Sequence, residues 1–223
     1  MRHAGVDARL GAGGIVVDAR AGVDALNERH GEGRFFLFHR ERRWNPSEER
    51  WMGWERKRGK LQEFNRVLRG ATDTSFIVTH GDLSVLPAVR YVITLDADTQ
   101  LPMDAASRLV GTLAHPLNRP RFDPRVGRVT EGYGVLQPAI SVDLVSANRT
   151  RFAKVFSGHV GIDPYTTAVS DVYQDLFHEG SYVGKGIYDV EAFEAALAGR
   201  VPENRLLSHD LFEGSYARTA LCT

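Results

Sequence analysis

Cysteine is almost absent: Cys222 is the single example in 223 residues, so no disulfide can form within the chain. Packing and hydrogen bonding must hold the fold, and a lone thiol is most easily read as belonging to a reducing compartment. Long apolar runs are missing too. Nowhere do about 18 uncharged apolar residues follow one another, the length a spanning helix needs. The opening Met1-Arg-His-Ala-Gly-Val6 lacks the apolar stretch of a signal peptide, so the chain is not expected to span a membrane itself. Charge of one sign is not in excess, with 28 Lys and Arg against 28 Asp and Glu. That balance argues against a nucleic-acid or membrane-surface partner recruited by the field of the whole chain. What remains is ordinary globular composition, 43% hydrophobic and 25% charged, sufficient for a substantial core in one domain.

Periodicity organises most of the chain. Residues 1–15 are Gly- and Ala-rich and poorly patterned, and we expect them to be poorly ordered. Val16, Ala19, Val23 and Leu26 have helical spacing over 16–29, ended by Gly31 and Gly33. Arg34 to His39 reads as a strand, and 40–54 as a Trp- and Arg-rich loop. The spacing of Leu61, Phe64 and Leu68 predicts a helix over 55–69, stopped by Gly70. Phe76–Thr79 and Tyr91–Leu95 read as strands, with a helix from Pro102 to Leu113 carrying Leu109, Val110 and Leu113. Residues 115–128 read as loop, and 134–140 as a strand whose Pro138 suggests an edge or bulge. A helix over about 142–156, a Gly-rich turn at 180–187 and a helix over 190–197 complete the pattern. With no repeat or linker, residues 1–223 read as one domain of alternating strands and helices.

The chemistry gathers at Tyr91-Val-Ile-Thr-Leu-Asp-Ala-Asp-Thr99. An apolar, β-branched run delivers Asp96 and Asp98 to the end of a strand, and side chains two apart in a strand point the same way. Open α/β sheets bind ligands beyond the carboxyl ends of their strands. Mg²⁺ or Mn²⁺ commonly sits on one or two carboxylates with water and substrate phosphates. Asp-x-Asp alone is a weak signal, since Asp is common at strand ends. Three further features accompany it: Lys60 five residues before Asn65 near a helix start, Gln137 at a strand end, and Asp210 among apolar residues before a helix.

In that order and spacing these features resemble the family-two-like, GT-A-fold processive glycosyltransferases, with a G-K-x-x-x-x-N helix, a D-A-D strand and a late acid. Flanking residues sharpen the resemblance. Arg42-Arg-Trp-Asn-Pro46, Trp51 to Leu61, Tyr91 to Pro102, Gly180 to Val190 and Ser208-His-Asp210 are similar to the glycosyltransferase segment of bacterial cyclic β-1,2-glucan synthases, over about residues 20–221. The resemblance implies an α/β fold, an incomplete GT-A (Rossmann-like) domain with a mostly parallel central sheet flanked by helices. It further implies inverting transfer from UDP-glucose to a growing β-1,2-glucan acceptor. Asp98 would hold the metal, with Asp96 nearer the ribose. Lys60 and Asn65 would serve the nucleotide, Asp210 would be the general base, and Gln137, Tyr182 and Lys185 would line the donor or acceptor groove.

Parts of that family's pattern are not found. Its first strand and uridine-contacting acid have no counterpart before residue 16, and its late Gln-x-x-Arg-Trp motif would follow Thr223. Arg40-Glu-Arg-Arg-Trp44 has a similar shape but precedes Asp96. The expectation is therefore a partial glycosyltransferase domain, inactive alone, whose partner is the remainder of a membrane-embedded synthase at the cytoplasmic face of the bacterial inner membrane. Two other classes remain open. Residues 40–60 hold eight Arg or Lys against four Glu, with Trp44, Trp51 and Trp54 interleaved, a composition suited to single-stranded nucleic acid. Aspartate-nucleophile phosphatases also end a strand in Asp-x-Asp, but their usual Thr or Val would fall at Gln100.

Overall fold

The computed structural model describes residues 13–97, 99–140, 148–156, 171–206 and 209–222. They fall into two compact units, residues 1–89 with 202–206, and residues 90–201 with 207–223.

In the first unit a helix, α1 (Gly13–His30), precedes the antiparallel pair β1 (Leu37–Arg40) and β4 (Phe76–His80). Between them come a hairpin of β2 (Arg43–Asn45) and β3 (Arg50–Met52), and helix α2 (Arg56–Leu68). The hairpin lies within the segment read as loop; its Trp44 and Trp51 face one another across the strands with ring centroids 6.2 Å apart. Helix α2 buries Leu61 and Leu68, as their spacing requires. It also buries Glu63, whose carboxylate meets Arg40 at 2.7 Å and accepts the Ser75 N–H at 2.8 Å. Gly59 is required by close approach, because a Cβ there would lie 2.2 Å from the Trp54 carbonyl oxygen.

The second unit is built on a four-stranded sheet in the order β10 (Thr219–Cys222), β8 (Val135–Pro138), β9 (Gly186–Asp189), β5 (Tyr91–Thr94). Helix α3 (Ala105–Ala114) packs Leu109 and Leu113 onto Leu136, Ile187 and Ala220. Val110, on the same predicted stripe, is instead 38% exposed. Residues 121–131, read mainly as loop, form a second hairpin of β6 (Arg121–Asp123) and β7 (Arg128–Glu131). Helix α6 (Val190–Leu197) follows β9, its start capped by Asp189 accepting the Ala192 N–H. Helices α4 (Arg151–Phe156), α5 (Asp171–Phe177) and α7 (Asp210–Ala217) complete the described α-helices.

The expected GT-A (Rossmann-like) domain with a mostly parallel central sheet is not what these residues form. Only β8 and β10 pair in parallel; β9 is antiparallel to both β8 and β5, and the three two-stranded sheets are antiparallel. The described chain is a mixed α/β structure with small, mostly antiparallel sheets. The reason lies in Gly186-Ile-Tyr-Asp189, whose glycine-rich approach reads as a turn. Its four residues are all buried, and it enters the sheet as a strand between two neighbours of opposite sense. β8 is correspondingly interior rather than an edge. Pro138 is tolerated as its last residue, where the next N–H, that of Ala139, donates to the Cys222 carbonyl at 3.1 Å.

Candidate functional site

Because β9 opposes β5, β8 and β10, the carboxyl ends of those three strands and the amino end of β9 share one edge of the sheet. Asp96 leaves the end of β5 there, and residues 180–185 approach the start of β9 there. The two are tied together. Thr94 Oγ1 lies 3.1 Å from both the Tyr182 hydroxyl and the Gly184 carbonyl oxygen, and accepts the Gly186 N–H at 3.3 Å. One residue further on, Lys185 Nζ stands 2.9 Å from Asp96 Oδ2, with both side chains partly exposed. Gln137, at the end of β8, is 2% exposed and accepts the Val183 N–H at 3.0 Å. Its amide nitrogen donates to the Pro138 carbonyl at 2.8 Å. Gln137 and Tyr182 thus build the loop, and Lys185 is the member of that group that reaches Asp96.

Asp210 comes to the same loop from another direction. It is the first residue of α7, and a Cβ on Gly184 would lie 2.6 Å from its Oδ1 and 2.9 Å from its Oδ2. Gly184 has φ +79°, where a side chain is strained as well as blocked. The loop therefore packs its bare backbone against Asp210 and sends the next side chain to Asp96. Beneath Asp210, His209 Nδ1 lies 3.4 Å from Asp210 Oδ1 and 2.9 Å from Oε2 of Glu213, which is 2% exposed. Burial pushes the Tyr182 phenol well above its ordinary range. The Thr94 contact opposes this, and the Glu213, Asp210 and Asp96 carboxylates push it further upward. Three acids, Asp96 after β5 and Asp210 and Glu213 of α7, therefore act on one hydroxyl.

The remaining expected site residues are placed less fully. Asp98 lies outside the described residues, so the two-carboxylate metal clamp cannot be drawn from both members. Asp96 offers hard oxygen donors at a partly exposed strand end, which suits Mg²⁺ or Mn²⁺. Lys60 is exposed on α2, whereas Asn65 on the same helix is fully buried; both belong to the first unit. The basic 40–60 stretch is extensively neutralised. Arg43 pairs with Glu41, Arg50 and Arg56 with Glu48, Arg58 with Glu55, and Arg40 with Glu63. Those pairings weaken the case for a phosphate-tracking surface. His209, Glu213, Gly184 and Thr94 were not singled out by residue patterns. The i,i+4 spacing of His209 and Glu213 was the available signal.

No protein-family model matches the chain. It is 52% identical over 209 residues, 92% of its length, to the cyclic beta-(1,2)-glucan synthase NdvB of Rhizobium meliloti (strain 1021). The chain is related to a glucan synthase. It spans 7% of the length of that relative, a small part of a large enzyme. No helix among the described residues is long and apolar enough to cross a membrane.

Proposed function

We propose that this chain is the glucosyl-transfer segment of a cyclic β-1,2-glucan synthase, moving glucose from UDP-glucose with inversion onto a growing β-1,2-glucan. The observation that carries the reading is the convergence of Asp96 and Asp210 on adjacent residues of one loop, Lys185 and Gly184. Transfer needs two separated functions, a place for the leaving diphosphate and a base for the incoming hydroxyl. Asp96 with Asp98 would hold Mg²⁺ or Mn²⁺, which supplies positive charge for the departing diphosphate. Lys185, already beside Asp96, adds a mobile point charge there. Asp210 takes the proton of the acceptor hydroxyl as its oxygen bonds to the anomeric carbon and the bond from that carbon to the diphosphate breaks. In the whole synthase the reaction is assigned to the cytoplasmic face of the inner membrane.

Calorimetry with UDP, with and without Mn²⁺, tests the donor half. Binding should require the ion, and Asp96→Ala should weaken it at least about tenfold, the loss of one of few protein ligands. Asp210→Asn should keep UDP-glucose affinity while removing a base contribution of about 10²–10⁴-fold in turnover. UDP binding indifferent to both the ion and Asp96 would defeat the donor assignment. Turnover of Asp210→Asn close to that of the parent would defeat the base assignment.

A further inference from the structure

We infer that His209 is a positioning residue for Asp210, its imidazole joining the Asp210 carboxylate to the buried Glu213 carboxylate. The inference rests on the proposed role of Asp210 as base and adds how that base is held. Exposure falls in order along the cluster, with side-chain values of 26% for Asp210, 12% for His209 and 2% for Glu213. The outer acid can meet a substrate; the innermost one cannot. A carboxylate as buried as Glu213 needs a charge or hydrogen-bond partner, and His209 Nδ1 stands 2.9 Å from its Oε2, within ion-pair reach, although neither these atoms nor Asp210 Oδ1 are aligned for a hydrogen bond. The i,i+4 spacing across the first turn of α7 brings these two side chains together.

The same nitrogen is 3.4 Å from Asp210 Oδ1, so one imidazole faces two acids. Without it, the two carboxylates would face each other with like charge. His209, as the residue before the helix, makes no side-chain cap bond. Gly184 also closes on Asp210, so the reacting carboxylate is in contact with both the loop backbone and the imidazole. Among the described residues, ionisable groups near the cluster include the Tyr182 phenol, Asp96, and Lys185 through its pair with Asp96. The arrangement parallels other catalytic constellations in which an interior carboxylate orients a histidine that serves the reacting group.

Nitrogen-15 NMR of the imidazoles in the 223-residue chain reads the contact without catalysis. His209, assigned by loss of its signal in His209→Gln, should carry hydrogen on Nδ1. Glu213→Gln should lower its proton affinity by about threefold or more, because a neutral amide no longer favours the imidazolium. In UDP release from UDP-glucose by the whole synthase, His209→Gln should lose roughly tenfold in kcat with KM little changed, a fraction of the base contribution. A bare Nδ1 in the unaltered chain would overturn the inference, even if Glu213→Gln failed to fold. So would kcat unchanged in His209→Gln. The three side chains each offer a ligand atom within 4.8 Å of the others. A His209 signal shifted by Zn²⁺ without nucleotide, and restored by Glu213→Gln, would also overturn it in favour of a metal site. Normal turnover of Asp210→Asn alongside the expected His209 spectrum would instead sink the base assignment and leave the bridge intact.

Discussion

Gly184 and Gly199 provide a matched pair for testing the site. Both hold φ in the left-handed region, +79° and +67°, so alanine at either costs about 1–2 kcal/mol of backbone strain. They differ in what the added methyl meets. At Gly199 nothing lies within 4 Å, whereas at Gly184 the Asp210 carboxylate atoms lie at 2.6, 2.8 and 2.9 Å. Restoring ordinary contact requires the carboxylate to swing aside, an off-rotamer adjustment of about 0.5–1.5 kcal/mol. Gly184→Ala should therefore lose about 1 kcal/mol more than Gly199→Ala, or roughly 2–4 °C in melting temperature for a chain of this length. Function should separate them much further, since moving a reacting group by about 1 Å can cost about 10²-fold in rate. The assay is UDP release from UDP-glucose by the whole synthase carrying each substitution, with UDP affinity from calorimetry as the control for an intact donor site. Gly199→Ala should turn over normally; Gly184→Ala should bind UDP and turn over poorly. Equal melting and equal turnover in the two variants would show that Asp210 is not held against residue 184, or that its position does not matter to the reaction.

Other consequences are structural. Glu63→Ala should destabilise the first unit by about 3–5 kcal/mol in urea titration, because Arg40, 7% exposed, loses its buried partner; a loss under about 1 kcal/mol would contradict the ion pair. Tyr182→Phe should cost about 0.5–1.5 kcal/mol for the Thr94 contact. The same substitution should flatten the alkaline limb of stability. The folded phenol titrates above its ordinary 10.0, so its contribution is complete below about pH 10 and declines as pH rises further. Melting temperatures followed through that range should fall faster for the parent than for Tyr182→Phe.

Several elements were legible because their residues satisfy one periodicity. Leu61 and Leu68 specify α2, and Tyr91-Val-Ile-Thr94 specifies β5. Asp96 and Asp210 could be nominated because acids stand out beside apolar runs, whereas Lys185 was implied by the family resemblance. The two hairpins were hidden for a different reason. β2, β3 and β6 are each three residues long and rich in Arg, too short and too polar to show alternation. Val142 to Phe156 read as a long helix; of its described residues, 148–156, α4 covers Arg151–Phe156 and residues 148–150 are turn and bend. His209 and Gly184 were illegible as site parts because their significance lies in contacts with Asp210, and a glycine's missing side chain leaves no pattern.

The strand β9, partly read as a turn, was the consequential omission, and its direction is also what assembles the site. A strand running parallel to β5 would carry its preceding loop to the opposite edge of the sheet, away from Asp96. Running antiparallel, β9 pairs Gly186 with Thr94 and places the residues just before it at the carboxyl end of β5. Lys185 can then reach Asp96 while Gly184 packs on Asp210, two contacts made from one short stretch of backbone. The glycines that made 180–187 look like a turn are part of the same solution. Gly186 starts β9 where a Cβ would lie 2.3 Å from the Leu136 carbonyl oxygen, and Gly184 leaves room for a carboxylate. Residues chosen for close approach thus conceal the strand they begin, and the chemistry predicted from Asp96 and Asp210 depends on that strand's reversed sense.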